Sequence, residues 1–322
     1  MIVYGPVPSW RLGNSLGVDL IEPPNNQNKL CSFDCLYCQL GKNTTKTITP
    51  RKLGISENDL EILRKRIAES GPDYITFSGK GEPTLNLDLG AIAKRIKKIT
   101  NIPIAVLTNA SLVDNPEVRK NLDCCDLVIA KIDAPNQEMF EKINRPYEDR
   151  PFGSISLDNI IKGIKLLKTN VAIQTLLFSS NSITNTDDLT ITKMINIYKN
   201  INQAKPISIF LGTAYRPSIN KNIMPLSIEE LKKVALRINA ETKIKVTYYK
   251  KKIHKKVSRQ VRNNELKSEI INLLSRRPCT EDEIMSMFGN SDIPNVLYSL
   301  MKEGIIKRNT KNNMRFMLSD KR

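Results

Sequence analysis

Three cysteines, Cys31, Cys35 and Cys38, stand in the stretch CSFDCLYCQ at spacings of four and three residues. A loop of that length can bring three thiolates around one metal centre. Zinc is one candidate, but a closed structural zinc site takes four ligands. The only histidine, His254, lies far downstream in a basic stretch, and Cys124 and Cys125 belong to another element. An iron–sulfur cube also takes four cysteines as a rule; with three, one iron is left open to bind a substrate or cofactor. Clustered thiols in a reducing compartment point to metal or catalytic chemistry rather than disulfides. A cytoplasmic protein with no membrane partner is expected, because no apolar run reaches the roughly 18–20 residues of a membrane span. The opening MIVYGPVPSWRLG also lacks the apolar stretch and cleavage site of a signal peptide.

Such a loop needs a frame. Through residue 249, short β-rich runs alternate with longer amphipathic stretches. Strands are expected at 17–21, 73–79, 102–109, 126–134, 171–178, 207–212 and 243–249. Helices are expected at 56–69, 88–99, 136–143, 157–168, 186–202 and 227–239. This alternation argues for βαβ units and a parallel sheet. About six units in roughly 250 residues suit a barrel, or a barrel left open on one side, better than a doubly wound sheet. The fold class is α/β.

The chain has 322 residues, 40% of them apolar, which is ample for a core. Its formal charge of +17 points to a polyanionic partner. The excess is concentrated late: residues 250–322 carry +9, against +8 over the first 249. The run KKKIHKKVSRQVR at 250–262 holds seven Lys or Arg and no acid, and reads as a basic linker. The expected organisation is therefore 1–249, a linker at 250–263, and a small domain at 264–322. In that last part, helices at 264–275, 280–288 and 292–303 precede a hairpin around Thr310–Asn313, the pattern of a winged helix-turn-helix. Thr280 and Glu283 form a capping box, with Cys279 and Ile284 as a hydrophobic staple, so Cys279 needs no chemistry. The outer face of 292–303 offers Asn295, Tyr298, Ser299 and one cation, Lys302. Basic residues gather instead on the hairpin (Lys307, Arg308, Lys311, Arg315) and the linker. Phosphate contacts give affinity without sequence reading, so a grip on RNA through 250–322 is expected. The alternative is a domain that packs on the barrel or binds a protein.

CSFDCLYCQ resembles the signature of the radical S-adenosylmethionine (radical SAM) superfamily, with an aromatic just before the third cysteine. FSGKGEPTL (77–85), after the second expected strand, is similar to that family's glycine–glutamate motif. YGPVPSWRLGNSLGVDL (4–20), LTNASL (107–112), KIDAPNQEMFEKINRP (131–146) and YRP (215–217) resemble a subgroup related to the wyosine-base (tRNA) enzymes. The likeness covers residues 2–250. It implies a partial (β/α)6 TIM-like barrel in which Cys31, Cys35 and Cys38 hold a [4Fe–4S] cluster. The open iron takes the amino and carboxylate groups of SAM. An electron, from a donor such as a flavodoxin or ferredoxin, cleaves SAM to methionine and a 5′-deoxyadenosyl radical that abstracts hydrogen from substrate. The resemblance also implies that the segment Gly79, Gly81 and Glu82 binds the SAM amino group.

Chemistry in such barrels sits at the C-terminal ends of the strands, which selects further candidates. Small glycines at 79 and 81 permit close backbone approach to a ligand. Along the fourth strand, Ile129, Lys131 and Asp133 share one face. Lys131 and Asp133 there either meet SAM or substrate or form a buried ion pair. Asn109 and Gln174 are similar polar intrusions, candidates for the SAM ribose or adenine or for structural hydrogen bonds. Thr76 and Ser78 share a face that can line the cavity. Arg11, Arg145 and Arg216 sit in motif-like loops, and one of them is expected to hold a carboxylate or phosphate. Cys124 and Cys125 precede the fourth strand and are expected to be inert. The favoured reading is a radical SAM enzyme acting on RNA. Radical modification of a protein or peptide, or an iron–sulfur DNA-binding regulator, are the alternatives.

Overall fold

The computed structural model describes all residues except 25–26, 44, 150–152, 219, 251–258, 260, 310–314 and 320–322. His254 and most of the basic run at 250–263 lie outside the described residues, as does the turn expected around Thr310–Asn313.

A single sheet carries the first part of the chain. Its strands are β1 (Ile2–Ser9), β2 (Gly13–Asp19), β3 (Tyr74–Phe77), β4 (Ile104–Thr108) and β5 (Leu127–Lys131). After a two-residue hairpin, β6 (Glu148–Asp149) and β7 (Gly153–Ser154), come β8 (Asn170–Ser179), β9 (Ile207–Thr213), β10 (Met224–Pro225) and β11 (Val246–Tyr248). The order is β1-β2-β3-β4-β5-β8-β9-β11, parallel from β2 onward, with β10 paired antiparallel on β8. Helices α1 (Glu57–Ser70), α2 (Leu89–Lys97), α3 (Pro116–Leu122), α4 (Gln137–Asn144), α5 (Leu157–Lys165), α6 (Asp188–Ala204) and α7 (Ile228–Thr242) lie between the strands. The sheet is a curled, open α/β half-barrel whose edges are β1 and β11.

The sequence explains much of this locally. Ser56 and Asp59 close a capping box on α1, and Gly71 ends it in the left-handed region at φ 49°. Ser227 and Glu230 cap α7 in the same way. Phe77, Val106, Val128, Ile173 and Ile209 are buried in the main core, toward the helices. Leu12, Ala105, Ile129, Ala172 and Phe210 form a separate inner cluster. The expected strands all form, but the first begins at Gly13 and has an unexpected antiparallel partner, β1. Pro6 and Pro8 hide that strand in the sequence; an edge strand tolerates them because it needs only half of its ladder. Trp10, in the β1–β2 turn, packs edge-on against Phe210 (5.9 Å) and Tyr249 (6.2 Å), so the turn reaches across the open side of the barrel.

The C-terminal part is three helices, α8 (Asn263–Leu274), α9 (Glu281–Phe288) and α10 (Ile293–Lys302), followed by the antiparallel pair β12 (Ile306–Asn309) and β13 (Arg315–Leu318). Leu266, Ile270, Leu273, Met287, Phe288, Leu297 and Phe316 build its core, with Cys279 fully buried among them. Tyr4 and Val7 of β1 belong to this same core, so the module packs directly on the barrel's edge strand. Arg259 reinforces the seam, bridging Glu69 of α1 (3.2 Å) and Glu269 of α8 (3.4 Å). Among the described residues no helix is long and apolar enough to cross a membrane.

Glu283 gives this module a measurable acid sensitivity. Burial opposes its ionisation, but Arg277 and Arg315 more than offset that and hold its carboxyl at about 2. A folded value below the unfolded one makes the ionised form stabilising. The contribution, about 3 kcal/mol, is complete above about pH 4.5 and is lost as the pH falls through about 2. Glu283→Gln retains an N3 cap and is expected to flatten the dependence of the urea midpoint on pH across that window, followed by circular dichroism.

Candidate functional site

The cysteine loop follows the C-terminal end of β2 and is gripped by the end of α4. Helices leave their last carbonyls without intrahelical partners, and here the loop supplies the donors: Leu36 N to Ile143 O (2.9 Å) and Asp34 N to Asn144 O (3.1 Å). Arg145, left-handed at φ 44°, donates from Nε to Asp34 O (2.6 Å) and pairs its guanidinium with Asp34 Oδ2 (3.0 Å). Arg145 is thus a clamp on the loop. Asp34 also accepts from Asn43 N (2.7 Å), and Asn43 Nδ2 donates back to Cys31 O (2.8 Å). One loop is fixed from three directions.

Cys31 Sγ accepts from Phe33 N (3.4 Å) and Asn109 Nδ2 (3.5 Å); Cys35 Sγ accepts from Asn144 Nδ2 (3.4 Å). Burial and the Glu82 carboxylate push the Cys31 thiol well up, and burial and the neighbouring Cys38 push Cys35 up. Thiolates in such a place require a cation to ligate. Among the described residues no group of three or more His, Cys, Asp or Glu side chains is set to hold a metal ion as it stands. The fit to a cluster rests instead on the donor set: three thiols in one recess, with amide donors already on two sulfurs. Beside them lies Lys29, only 2% exposed, donating to Gly41 O (2.6 Å) and 3.3 Å from Asp34 Oδ1. Burial opposes its charge, but the three cysteines outweigh that and leave its ammonium raised. Sequence reading passed over Lys29, since a lysine two residues before a cysteine carries no pattern.

Gly79 and Gly81 both stand where the chain leaves no room for a side chain. A Cβ at Gly79 would stand 2.0 Å from Asp19 Cγ, and one at Gly81 would stand 1.7 Å from Leu30 O. The close approach is to the chain itself. Leu30 N donates to Lys80 O and Glu82 N to Leu30 O, both 2.9 Å, which zips this segment to the residue before Cys31. Glu82, buried, accepts from Thr84 Oγ1 (2.7 Å), Thr108 Oγ1 (2.5 Å) and Asn109 N (2.7 Å). Asn109 Nδ2 continues to Ser32 Oγ (2.9 Å). Glu82, Asn109 and the cysteine loop are therefore one hydrogen-bonded unit. Gly81→Ala forces the Leu30 backbone to shift; a loss of about 1–3 kcal/mol in denaturant unfolding is expected, together with weaker SAM binding by calorimetry.

Lys131 and Asp133 form an ion pair at 3.3 Å. For Asp133 the ion pair, one of the two arrangements expected, is the one present. Its Oδ1 accepts from Leu176 N (2.8 Å), and its Oδ2 accepts from Tyr37 OH and from Asn144 Nδ2 (3.1 Å). With its oxygens engaged, it orients Tyr37, the residue before Cys38. Lys131 is partly exposed, its ammonium 4.5 Å over the Tyr37 ring. Its register partner Gln174 accepts from Arg11 Nη1 inside the half-barrel. Thr76 shares a hydrogen bond with Ser15 (2.5 Å) and Ser78 with Tyr4 OH (2.8 Å). Cys124 donates to Lys120 O (3.4 Å) and Cys125 is buried at the base of β5, both away from the cysteine loop.

A contact between the module and this site is absent from any local sequence pattern. Arg276, after α8, donates from Nε to Asp19 Oδ2 (2.8 Å), and the same oxygen accepts from Lys80 N (3.1 Å). Gln39, next after Cys38, donates to Arg276 O (3.2 Å) and accepts from Arg216 Nη1 (2.9 Å).

Residues 28–177, from just before the cysteine loop to β8, match the Radical SAM superfamily, so this part of the chain is a radical SAM domain. The fold agrees: a radical SAM methyltransferase from Sphaerobacter thermophilus superposes with a TM-score of 0.50 at 15% identity, over 73% of this chain and 65% of that one. The UPF0026 protein of Methanocaldococcus jannaschii is 30% identical over 94% of this chain and 91% of its own length. The chain belongs to the UPF0026 family. A protein of Brachyspira hyodysenteriae named GTPase Obg is 32% identical over 97% of this chain, which spans 44% of that protein's length.

Proposed function

We propose that Cys31, Cys35 and Cys38 hold a [4Fe–4S] cluster, that SAM completes it, and that the substrate is RNA, in the manner of the wyosine-base enzymes that the motifs resemble. Bound there, the pair supplies a 5′-deoxyadenosyl radical when an external donor such as a ferredoxin or flavodoxin delivers one electron. The chain's own residues do the rest. Asn109 and Asn144 donate to two sulfurs, and Lys29 places a buried positive charge beside an anionic assembly. The Gly79–Glu82 segment, held against Leu30 and Asp19, offers its backbone and carboxylate edge to the SAM amino group. Lys131, reaching over Tyr37, is the cation placed to meet SAM or substrate.

The observation that carries the RNA reading is a cavity of about 310 Å³ between the C-terminal hairpin and the loop after β9. Arg216, Lys221, Lys307, Arg308 and Asn309 are among its lining residues. We read α8–α10 with β12 and β13 as a winged helix whose wing bears on the substrate path, a placement suited to gripping a phosphate backbone. The exposed face of α10, with Tyr298 at 63% exposure, plays no part in that groove. Transfer RNA binding measured by filter retention is expected to weaken steeply with salt. Reversing Lys307 and Arg308 to glutamate is expected to cut the slope of log affinity against log salt by about 2. Salt-independent binding, or binding of unmodified peptide instead, sinks the RNA reading.

A further inference from the structure

Arg11, Arg216 and Arg277 come from three distant parts of the chain and meet where the module closes the open side of the half-barrel. Arg11 reaches Gln174, Arg216 reaches Gln39, and Arg277 stands 3.6 Å from Glu283. Among the described residues, the Nε of each is buried with no hydrogen-bond partner. Arg315 joins them, 2.5 Å from the same Glu283 and 5.6 Å from the centre of the Tyr215 ring. Glu283 thus faces three guanidiniums, pairing with Arg277 and Arg315 and lying within electrostatic reach of Arg216, while Arg276 is taken by Asp19. Burial and the neighbouring Arg216 and Arg277 pull Arg11 down to about 10, as expected for a cation held inside without its own counter-anion. Guanidinium groups with unused N–H in a desolvated recess match phosphate oxygens better than any other common ligand.

An aromatic shelf adjoins them. Tyr215 stacks on Tyr249 at 4.1 Å with planes 9° apart, Trp10 meets Tyr249 edge-on, and Arg216 lies 4.8 Å over Tyr215. All three aromatics are partly exposed. Arg216 also lines the basic cavity beneath the hairpin, which joins the cluster to that cavity, and its Nη1 donates to Gln39, one residue past Cys38.

We propose that Arg11, Arg216 and Arg277 form a phosphate-binding site for a nucleotide unit of the substrate, with the adjoining base on the Tyr215–Tyr249 shelf. The site admits single-stranded nucleotide, because stacking on a tyrosine face needs an unpaired base. It rests on the RNA reading only for the length of the ligand; the phosphate chemistry stands apart from it.

The test uses the full chain, cluster-loaded under anaerobic conditions, with three probes: a short single-stranded RNA, adenosine monophosphate and inorganic pyrophosphate. Calorimetry with Arg216→Gln and Arg11→Gln is expected to show about tenfold or greater weakening for every probe that binds. Far-ultraviolet circular dichroism reports whether each variant keeps its fold. Glu283→Gln, which removes the competing carboxylate and keeps the α9 cap, is expected to tighten binding several-fold. Pyrophosphate and mononucleotide binding that depends on the arginines, with no RNA binding, upholds the site and overturns the RNA reading. RNA binding indifferent to Arg11 and Arg216, or unchanged affinity in Glu283→Gln, overturns the site.

Discussion

In a Cys35→Ala variant, release of 5′-deoxyadenosine from SAM under reducing, anaerobic conditions is expected to fall to background. Iron and sulfide content is expected to fall with it. The argument is local. Cys35 Sγ accepts from Asn144 Nδ2 at 3.4 Å, and Asn144 keeps its contacts to Tyr37 OH (3.0 Å) and Asp133 (3.1 Å) when the sulfur is gone. Asp34, Asn43 and Arg145 go on holding the loop. The loss is therefore chemical rather than structural, and on the RNA reading proposed above any affinity for RNA is expected to stay at the wild-type level, because the basic groove is built from other elements. A Cys35→Ala protein that still cleaves SAM removes the cluster assignment altogether.

Arg276→Ala is expected to destabilise the protein by about 3–5 kcal/mol, the usual result of stripping one partner from a buried ion pair. The side chains of Arg276 and Asp19 are 2% and 1% exposed. Without Arg276, Asp19 remains as a buried carboxylate whose other listeners are two backbone amides, those of Ile21 and Lys80. Because Asp19 abuts Gly79 and holds Lys80, the damage reaches the glycine–glutamate segment, and SAM affinity is expected to fall as well. Asp19→Asn in the Arg276→Ala background removes the orphaned charge and is expected to recover a large part of the loss. Urea unfolding of the two single variants and the double closes the cycle. Independent, additive effects refute the coupling.

The elements of the half-barrel were legible because parallel strands buried on both faces and amphipathic helices leave strong periodic patterns. The three cysteines and the GKGE segment were legible because they are contiguous. What could not be read is contact between distant residues. Arg11 and Arg216 each stood out beside Gly or Pro, yet nothing in the chain's order says that they meet, or that Arg277 joins them. Asp133 stayed open between a ligand and an ion pair, because a carboxylate inside a barrel demands a partner; the ion pair with Lys131 forms, and Tyr37, Asn144 and Leu176, distant in sequence, also donate to it. The glycines at 79 and 81 were legible as sites of close approach, but not that Asp19 and Leu30 of the same chain are what approaches them. β1 was hidden by two prolines whose cost depends on an edge position that only the sheet order reveals.

The strap from Arg276 to Asp19 and Gln39 also sets an order of events during synthesis. The cysteine loop leaves the ribosome early, long before the helix that carries Arg276. Until that later segment arrives, the turn around Gly79 lacks its outer brace and the residue after Cys38 lacks its backbone acceptor. A cluster of the kind proposed above, offered to a nascent chain, would meet a half-finished cradle.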